Sequence, residues 1–465
     1  MTASSDFDSD KLSFRTKVAY GMGDLGPPIA ANLQLFFLLP FFTVVAGLPA
    51  GMAGSILAIS KVWDAINDPI IGILSDRTHT RWGRRRPWIL FGAIPFGLVF
   101  FAQWLVPFPG NTTALFRYYI AIAVLFNTLY TAVNLPYTAL TPELTQDYDE
   151  RTSLNQFRFT FSIAGSLLAG VLHPLLMDQF QDDPQRGYAI VSAMWSVAIV
   201  LPLLYCFLGT RERYQSSSTT DLPLFQQIRI AFRNRAYLNL IGIYLFSWLA
   251  VQLTATIIPF YITFWMGLDN QWISFSILGV QGTAMAMLFV WNQVSARMGK
   301  RVTFAMGVSI WLLAHCALFL VQPGQLGLML GLCVMAGMGV SVAYLIPWSM
   351  VPDIIEVDEL ATGERREGIF YSFMVLLQKV GLALGLFLVG QMLEIAGFIS
   401  AGAGETVTEQ PDSALQAIRF AIGPLPAISL ILSLLCVAFY PITRERYAEV
   451  LHQLNLRKQQ QNESL

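Results

Sequence analysis

Apolar stretches long enough to cross a lipid bilayer recur along this chain from Ile29 to Pro441. A helix needs about 20 apolar residues to span the hydrocarbon layer. Because the hydrocarbon offers no water to backbone polar groups, each stretch is expected to be helical. Only 13% of the 465 residues are charged, against about 25% in soluble domains. The sequence therefore predicts an all-α membrane protein with about twelve spans, at 20–47, 51–76, 87–107, 115–143, 152–180, 187–209, 236–266, 272–296, 302–321, 325–352, 367–397 and 413–441.

Lysine and arginine are distributed unequally between the loops that join these spans. With a cytoplasmic N-terminus, 23 of the 29 basic residues fall on the inner side, and only Arg117, Arg186 and Arg419 fall on the outer side. Cytoplasmic loops of membrane proteins carry such an excess of basic residues. We therefore expect both termini in the cytoplasm and the protein in the plasma (inner) membrane. The net charge of −1 gives no indication of a nucleic-acid partner.

The longest polar stretch, 210–235, separates the spans into two groups of six. A short basic loop with a glycine before its cations follows the second span at 75–86 and the eighth at 295–301. These could be two independent cytoplasmic loops, but their matching position, charge and glycine favour internal repeats. Repeated halves are typical of transporters with a binding site between them. The predicted regions are an N-terminal tail (1–19), a first six-helix half (20–209), a central loop (210–235), a second six-helix half (236–441) and a C-terminal tail (442–465).

Two carboxylates lie within the second apolar span. Asp64 and Asp68 are four residues apart, so a helix places them on one side and one turn apart. Ionisable groups in a span are costly and usually functional. Asn67 adds an amide oxygen, and hard cations prefer oxygen ligands. The alternative is that Asp64 pairs with Lys61 while Asp68 caps a helix end near Pro69.

Three further ionisable residues in or near spans are candidates for functional roles. Lys379 is unlikely to face lipid, so we expect it to pair with a buried carboxylate, with Asp64 and Asp68 as candidates. Arg158 either binds substrate oxygens in a bidentate manner or extends to the membrane interface. Asp24 is either a helix-end residue or a substrate-cavity residue.

The sequence gives no indication of catalysis or of a resident cofactor. It lacks the P-loop, G-x-S-x-G and H-E-x-x-H patterns. The four cysteines are widely spaced in apolar runs, and the four histidines form no metal-binding pattern. We expect a protein that is not an enzyme and binds no metal beyond a transported cation. An enzyme and a sensor are the rival classes, and solute uptake into vesicles with and without a sodium gradient separates all three.

Five segments follow, in order, the pattern of a known family: 63–69 (WDAINDP), 82–88 (WGRRRPW), 134–140 (NLPYTAL), 147–151 (DYDER) and 356–368 (EVDELATGERREG). In these segments the chain resembles the glycoside–pentoside–hexuronide:cation symporters of the major facilitator superfamily. Melibiose permeases are the best-known members, and animal lysophospholipid symporters look like relatives. The resemblance implies the major facilitator fold, with twelve transmembrane helices in two six-helix halves.

The resemblance also implies roles for individual residues. It implies a sodium, lithium or proton site at Asp64, Asn67, Asp68 and Thr131, with Lys379 as a neighbouring charge-balancing residue. Substrate-cavity positions, to which we add Asp24, are Tyr130, Asn134, Thr138, Arg158 and Tyr344. Cytoplasmic gating positions are Asp353, Glu359 and Arg365, and we assign the same role to Asp76, Arg77 and Arg84.

Two positions depart from the melibiose-type pattern. Pro28 and Asn134 stand where those permeases carry acids that hold sugar hydroxyls, which weakens the case for a galactoside and leaves the cation site intact. We predict a secondary active symporter that couples a sodium or proton gradient to uptake of a sugar or glycoside by alternating access. The alternative solute is a lysolipid or another amphipathic molecule. The expected partners are this small solute and the bilayer, and we expect a monomer.

Overall fold

The computed structural model describes residues 11–145, 148–213, 234–362, 367–400, 409–443, 446–450, 452–454 and 456. Within these ranges the chain is helical apart from short connections, and no β-strand occurs. Most of the predicted central loop and of both predicted tails lies outside the described residues.

Long α-helices account for most of the fold. In chain order they are α1 Phe14–Met22, α2 Gly26–Leu33, α3 Ala50–Arg77, α4 Arg86–Gln103, α5 Thr112–Thr138, α6 Thr141–Leu144, α7 Tyr148–Met177, α8 Pro184–Gly209, α9 Arg235–Phe260, α10 Asn270–Met298, α11 Lys300–Leu320, α12 Leu326–Thr362, α13 Glu367–Ile395, α14 Asp412–Ile422 and α15 Pro424–Ala438. Shorter π-helical turns span Gln34–Leu38, Phe41–Val45 and Tyr261–Trp265, and a 3-10 turn spans Asp178–Phe180.

The predicted all-α membrane architecture is confirmed. Ten helical segments among the described residues are long and apolar enough to cross a membrane. The helical stretch 14–45 and α3 complete the twelve passes. Helix α3 is not among these ten segments, and it carries three charged residues, Lys61, Asp64 and Asp68. Most helix ends lie within a few residues of the predicted spans, and the largest difference is at α12, which ends at Thr362 rather than 352.

Proline breaks the helices at fewer places than the sequence predicts. Interruptions are expected at 26–28, 134–137 and 346–348. The first occurs, since a turn at 23–25 separates α1 from α2. The other two do not, because Pro136 and Pro347 lie inside continuous helices. A proline removes only one main-chain donor, and in a membrane bundle neighbouring groups can satisfy the freed carbonyl.

The first helical pass of each predicted half ends in the same way. In the first pass, a π-helical turn begins at Phe41, Gly47 has a positive φ, and the next helix begins at Ala50. The same three features occur at the same spacing at Tyr261, Gly267 and Asn270. Both glycines have a φ near +70°, a conformation that costs other residues energy. This shared ending supports the predicted relation between the two six-helix halves.

The chain forms two compact units. The first comprises 1–218 with 258–274 and 386–415, and the second comprises 219–257, 275–385 and 416–465. In the first unit, α3 packs along α5, α4 packs on α5 and α8, and α1 and α2 pack on α7. The end of α13 joins this unit through the start of α3, where Glu394 accepts a hydrogen bond from the main-chain N–H of Gly51 at 3.1 Å. The α3–α5 contact positions the acidic residues of the second span.

The start of α4 is held by a carboxylate from the end of α8. Glu212 accepts hydrogen bonds from three consecutive main-chain N–H groups, those of Arg84, Arg85 and Arg86, at 2.6, 2.8 and 2.9 Å. A helix start leaves such donors without intrahelical partners, and negative charge is favourable there. The guanidinium of Arg86 also donates to the carbonyl of Phe207 at 2.7 Å. These contacts fix the basic loop against α8.

We expect Glu212→Gln to lower the free energy of unfolding by about 1–3 kcal/mol, because a neutral amide replaces a charged acceptor of three hydrogen bonds. Thermal unfolding of the purified protein measures the change. Glu449→Gln, at an exposed position, is the matched control. Equal unfolding temperatures for the two variants would contradict the capping role.

Candidate cation and solute site

The two acids of α3 converge on one hydroxyl group of α5. Thr131 Oγ1 lies 3.1 Å from Asp64 Oδ1 and 3.0 Å from Asp68 Oδ1. Asp64 is 4% exposed and Thr131 is buried, whereas Asp68 is half-buried. A hydroxyl has only one proton, so it cannot donate fully to both carboxylates at once. The structure thus brings three of the four predicted cation ligands into one cluster.

An amide network next to this cluster is not predicted from the sequence. Asn67, the fourth predicted ligand, is buried and its amide nitrogen lies 3.5 Å from the main-chain oxygen of Asn127. The side-chain oxygen of Asn127 accepts a hydrogen bond from Lys61 Nζ at 3.0 Å, and its nitrogen donates to the Ala123 carbonyl. Asn127 therefore ties α3 to α5 beside the acids. The sequence feature that could have identified Asn127 is its polar amide side chain, which lies in an apolar span one helical turn before Thr131.

Helix α3 continues through Pro69 to Arg77, so Asp68 is not at a helix end and does not act as a cap. The proline at position 69 cannot donate to the carbonyl of Ala65, four residues earlier. This carbonyl is one turn or less from both acids along α3. Proline therefore adds a main-chain oxygen without an intrahelical donor to a region already rich in oxygen.

Oxygen ligands of this kind suit a hard cation. Two carboxylates, a hydroxyl and an amide oxygen supply both negative charge and neutral donor atoms. Among the described residues, no group of three or more His, Cys, Asp and Glu side chains could hold a resident metal ion. The oxygen atoms of this cluster can bind sodium, and the two acids can instead share one proton.

A second charged pair lies in the same compact unit. Asp24, in the turn between α1 and α2, has its Oδ2 3.7 Å from Nε of Arg158 in α7. The Arg158 guanidinium also lies over the ring of Phe159, 4.7 Å from its centre. Arg158 thus meets a carboxylate within the helix bundle, and the pair contains both hydrogen-bond donors and acceptors.

Tyr130 connects the two charged groups. It lies on α5, and its hydroxyl is close enough to Asp24, Asp64 and Asp68 to interact with all three electrostatically. A phenol hydroxyl can both donate and accept hydrogen bonds. The structure therefore brings the predicted solute residues Asp24, Tyr130 and Arg158 into the neighbourhood of the predicted cation residues.

The other predicted solute and charge-balancing residues are divided between the two compact units. Asn134 and Thr138 are half-buried on α5, and Thr138 donates to the Leu135 carbonyl at 2.9 Å. Tyr344, on α12 in the second unit, packs its ring against Trp248 with 5.5 Å between centres. Lys379 is half-buried on α13 in the same unit, and its pairing with the acids of α3 stays a prediction.

The predicted gating loop of the first half is held by a buried acid that is not predicted from the sequence. Glu143, just beyond the end of α5, is 1% exposed and accepts hydrogen bonds from Arg84 at 2.5 Å and from Arg85 at 3.2 Å. Arg85 also pairs with Asp76. Burial raises the pKa of the Glu143 carboxyl, and the Arg84 hydrogen bond opposes that rise. Arg77 is exposed at the end of α3.

In the second unit, the predicted gating residue Asp353 pairs with Lys300, the first residue of α11. Lys300 Nζ lies 2.6 and 2.7 Å from the two carboxylate oxygens and also donates to the Ser349 carbonyl. Glu359 is half-buried on α12. Arg365 lies outside the described residues.

Solved transporter structures share this fold. The nucleoside transporter NupG matches with a TM-score of 0.67 at 12% identity, over 92% of this chain and 100% of that chain. A bacterial homologue of the human lysosomal transporter Spinster matches with a TM-score of 0.65 at 12% identity, over 94% and 97% of the two chains. At such low identity the similarity concerns the fold alone.

Similarity at the sequence level extends over nearly the whole chain. An uncharacterised symporter of Synechocystis is 47% identical over 98% of this chain and 99% of its own length. The inner membrane symporter YicJ of Escherichia coli is 30% identical over 96% of each. The sodium-dependent lysophosphatidylcholine symporter 1 of mouse is 28% identical over 94% of this chain and 87% of its own. The family model for MFS/sugar transport proteins matches residues 19–444, so the chain belongs to that family of membrane transporters.

Proposed function

We propose that the protein couples a sodium gradient to solute uptake through the cluster formed by Asp64, Asn67, Asp68 and Thr131. The observation that carries this proposal is the convergence of two carboxylates on one hydroxyl inside a membrane helix. Relatives named as symporters support cation coupling, and the mouse relative, named as sodium-dependent, supports sodium. A proton shared by the two acids is the alternative coupling ion.

Electrostatics explains how the ion would affect the solute. Two ionised acids one turn apart repel each other, and a bound cation removes that repulsion. Tyr130 interacts with both of these acids and with Asp24, the partner of Arg158. Cation binding therefore changes the field in which a solute meets Tyr130, Asp24 and Arg158. By linkage, cation and solute strengthen each other's binding by the same factor.

The solute that the site best supports is a sugar or glycoside. The carboxylate, guanidinium and phenol of Asp24, Arg158 and Tyr130 suit hydroxyl groups, and the family description includes sugar transport. Pro28 and Asn134 leave fewer carboxylates for those hydroxyls than melibiose-type relatives have. The lysophosphatidylcholine relative supports an amphipathic solute as the second candidate.

Alternating access of the two halves completes the proposed mechanism. The basic loop held by Glu143 and Glu212 and the Lys300–Asp353 pair are the proposed gating contacts. The distribution of basic residues supports both termini in the cytoplasm, and the inner-membrane relative supports a plasma (inner) membrane location. We also propose that the protein is a monomer. No catalytic step or cofactor is part of this mechanism.

We expect sodium to raise the unfolding temperature of the wild type relative to choline, because an ion that binds only the folded state stabilises it, by about 2.7 kcal/mol at 100 times its Kd. Asp64→Asn and Asp68→Asn should each remove most of this increase, since each deletes a ligand charge. Asp412→Asn, an exposed exchange of the same type, is the control. A full sodium response in either mutant would rule out the assigned cation site.

The choice between sodium and protons has its own test. If sodium couples, uptake into membrane vesicles from a glycoside panel should require sodium at every pH. It should weaken in acid, where protons compete for the carboxylates. Undiminished accumulation without sodium, driven by a pH gradient, would reject sodium as the coupling ion.

Lys379 is proposed to balance the acids of the cation-free carrier, which then reorients without leaking charge. Lys379→Ala should therefore impair uphill accumulation more than solute binding, and Lys379→Arg should retain part of the accumulation. Removing one member of a buried ion pair costs about 3–5 kcal/mol in soluble proteins.

A double mutant separates charge balance from a structural role of Lys379. Combining Lys379→Ala with Asp64→Asn or Asp68→Asn should recover downhill exchange, because the unbalanced charge is gone. Normal accumulation by Lys379→Ala alone would show that its charge is not needed.

A further inference from the structure

A cavity of about 470 Å³ lies in the first compact unit, where α7 ends and α8 begins. Its lining is completed by residues at 37–45, by residues at 259–264 around the π-helical turn Tyr261–Trp265, and by the first residues of α10. It shares no lining residue with the acid cluster or with the Asp24–Arg158 pair. Its volume falls in the range of about 300–1,000 Å³ that is typical of small-molecule sites.

His173 is a buried polar residue in the lining of this cavity. It is 2% exposed, and neither ring nitrogen has a hydrogen-bond partner in the described part of the chain. Aromatic rings surround it, with centres at 4.6 Å for Phe37, 5.5 Å for Tyr188 and 5.8 Å for Trp104. A buried polar group without a partner is unfavourable, because it has lost its hydrogen bonds to water. A molecule in the cavity that pairs with the imidazole would replace those hydrogen bonds.

The remaining lining divides into apolar walls and a polar rim. Five aromatic residues line the cavity, namely Phe37, Phe180, Tyr188, Phe260 and Phe264. Apart from His173 and the buried Tyr188, the polar lining residues are half-buried or exposed, namely Gln181, Thr263, Asp269 and Asn270. The described lining contains no lysine or arginine, so its only fixed charge is the carboxylate of Asp269.

This arrangement selects a ligand by its hydrogen-bonding groups. A neutral imidazole offers one donor and one acceptor, and a hydroxyl group offers the same. An ammonium group has donors only and would leave the imidazole N–H unpaired. An anionic group has acceptors only, and Asp269 would repel it without a nearby cation to compensate.

We propose that this cavity is a second binding site, for neutral amphipathic molecules that carry hydroxyl groups, of the alkyl glycoside class. The apolar body packs among the aromatic residues, one hydroxyl pairs with His173, and others meet the amide and carboxylate groups of the rim. Because it uses none of the proposed cation ligands, this site does not depend on the proposed coupling mechanism.

Calorimetric titration of the full chain in lipid nanodiscs tests the proposal. The probe is octyl β-glucoside below its micelle concentration, in sodium-free buffer, with empty nanodiscs as background. Saturable binding of one molecule is expected. Methyl β-glucoside, which has no apolar body, and the anionic probe octyl sulfate should bind at least tenfold more weakly. No saturable heat, or equal binding of octyl sulfate, would overturn the proposal.

Two variants locate the binding. His173→Phe keeps a ring of similar size without its nitrogens and should weaken octyl β-glucoside binding about three- to tenfold, as the loss of one neutral hydrogen bond predicts. Thr263→Trp, at an exposed lining position, should abolish binding by filling the cavity even if His173→Phe fails to fold. Phe289→Trp, on an exposed face of α10, should bind like the wild type. Wild-type binding by Thr263→Trp would place the ligand elsewhere.

Discussion

Two carboxylates inside a membrane helix are the constraint on which the rest of the first compact unit depends. A charge in hydrocarbon is costly, so Asp64 and Asp68 must lie against polar groups from a neighbouring helix. Helix α5 supplies them through Thr131 and Asn127, which is why α3 and α5 pack along each other. The same requirement explains why the acids, an amide and a hydroxyl occur together within otherwise apolar segments.

Carboxylates also organise the basic loop between α3 and α4, by a different mechanism. Glu212 binds main-chain N–H groups, whereas Glu143 binds guanidinium groups. The backbone of 84–86 and the side chains of Arg84 and Arg85 are therefore held by separate acids, one beyond the end of α8 and one in α6. A movement of α8 or of the segment after α5 would be transmitted to this loop through short, charge-assisted hydrogen bonds.

Hydropathy and basic-residue spacing are sufficient to predict the helices, because bilayer thickness dictates both their length and their composition. The acid pair is also predictable, since charges within a span stand out. Asn127, Glu143 and Glu212 are not, because their partners lie far away in the sequence and only the packing of α3, α5 and α8 brings them close. His173 is the single histidine of its apolar span, and the sequence does not show that it lines a cavity. Pro136 and Pro347 resemble helix breaks locally, but tertiary packing keeps their helices continuous.

The paired π-helical turns at Phe41–Val45 and Tyr261–Trp265 affect which side chains face which neighbours. A π turn holds more residues than an α turn, and each additional residue rotates the following side chains by about 100° around the helix axis. In both passes the turn lies just before the glycine with a positive φ, so the residues between the turn and the glycine follow it at the same spacing. Deleting one residue from either turn would rotate the residues after it by about 100° relative to the rest of its helix. The length of each turn therefore decides which side chains at the end of the pass face their neighbours.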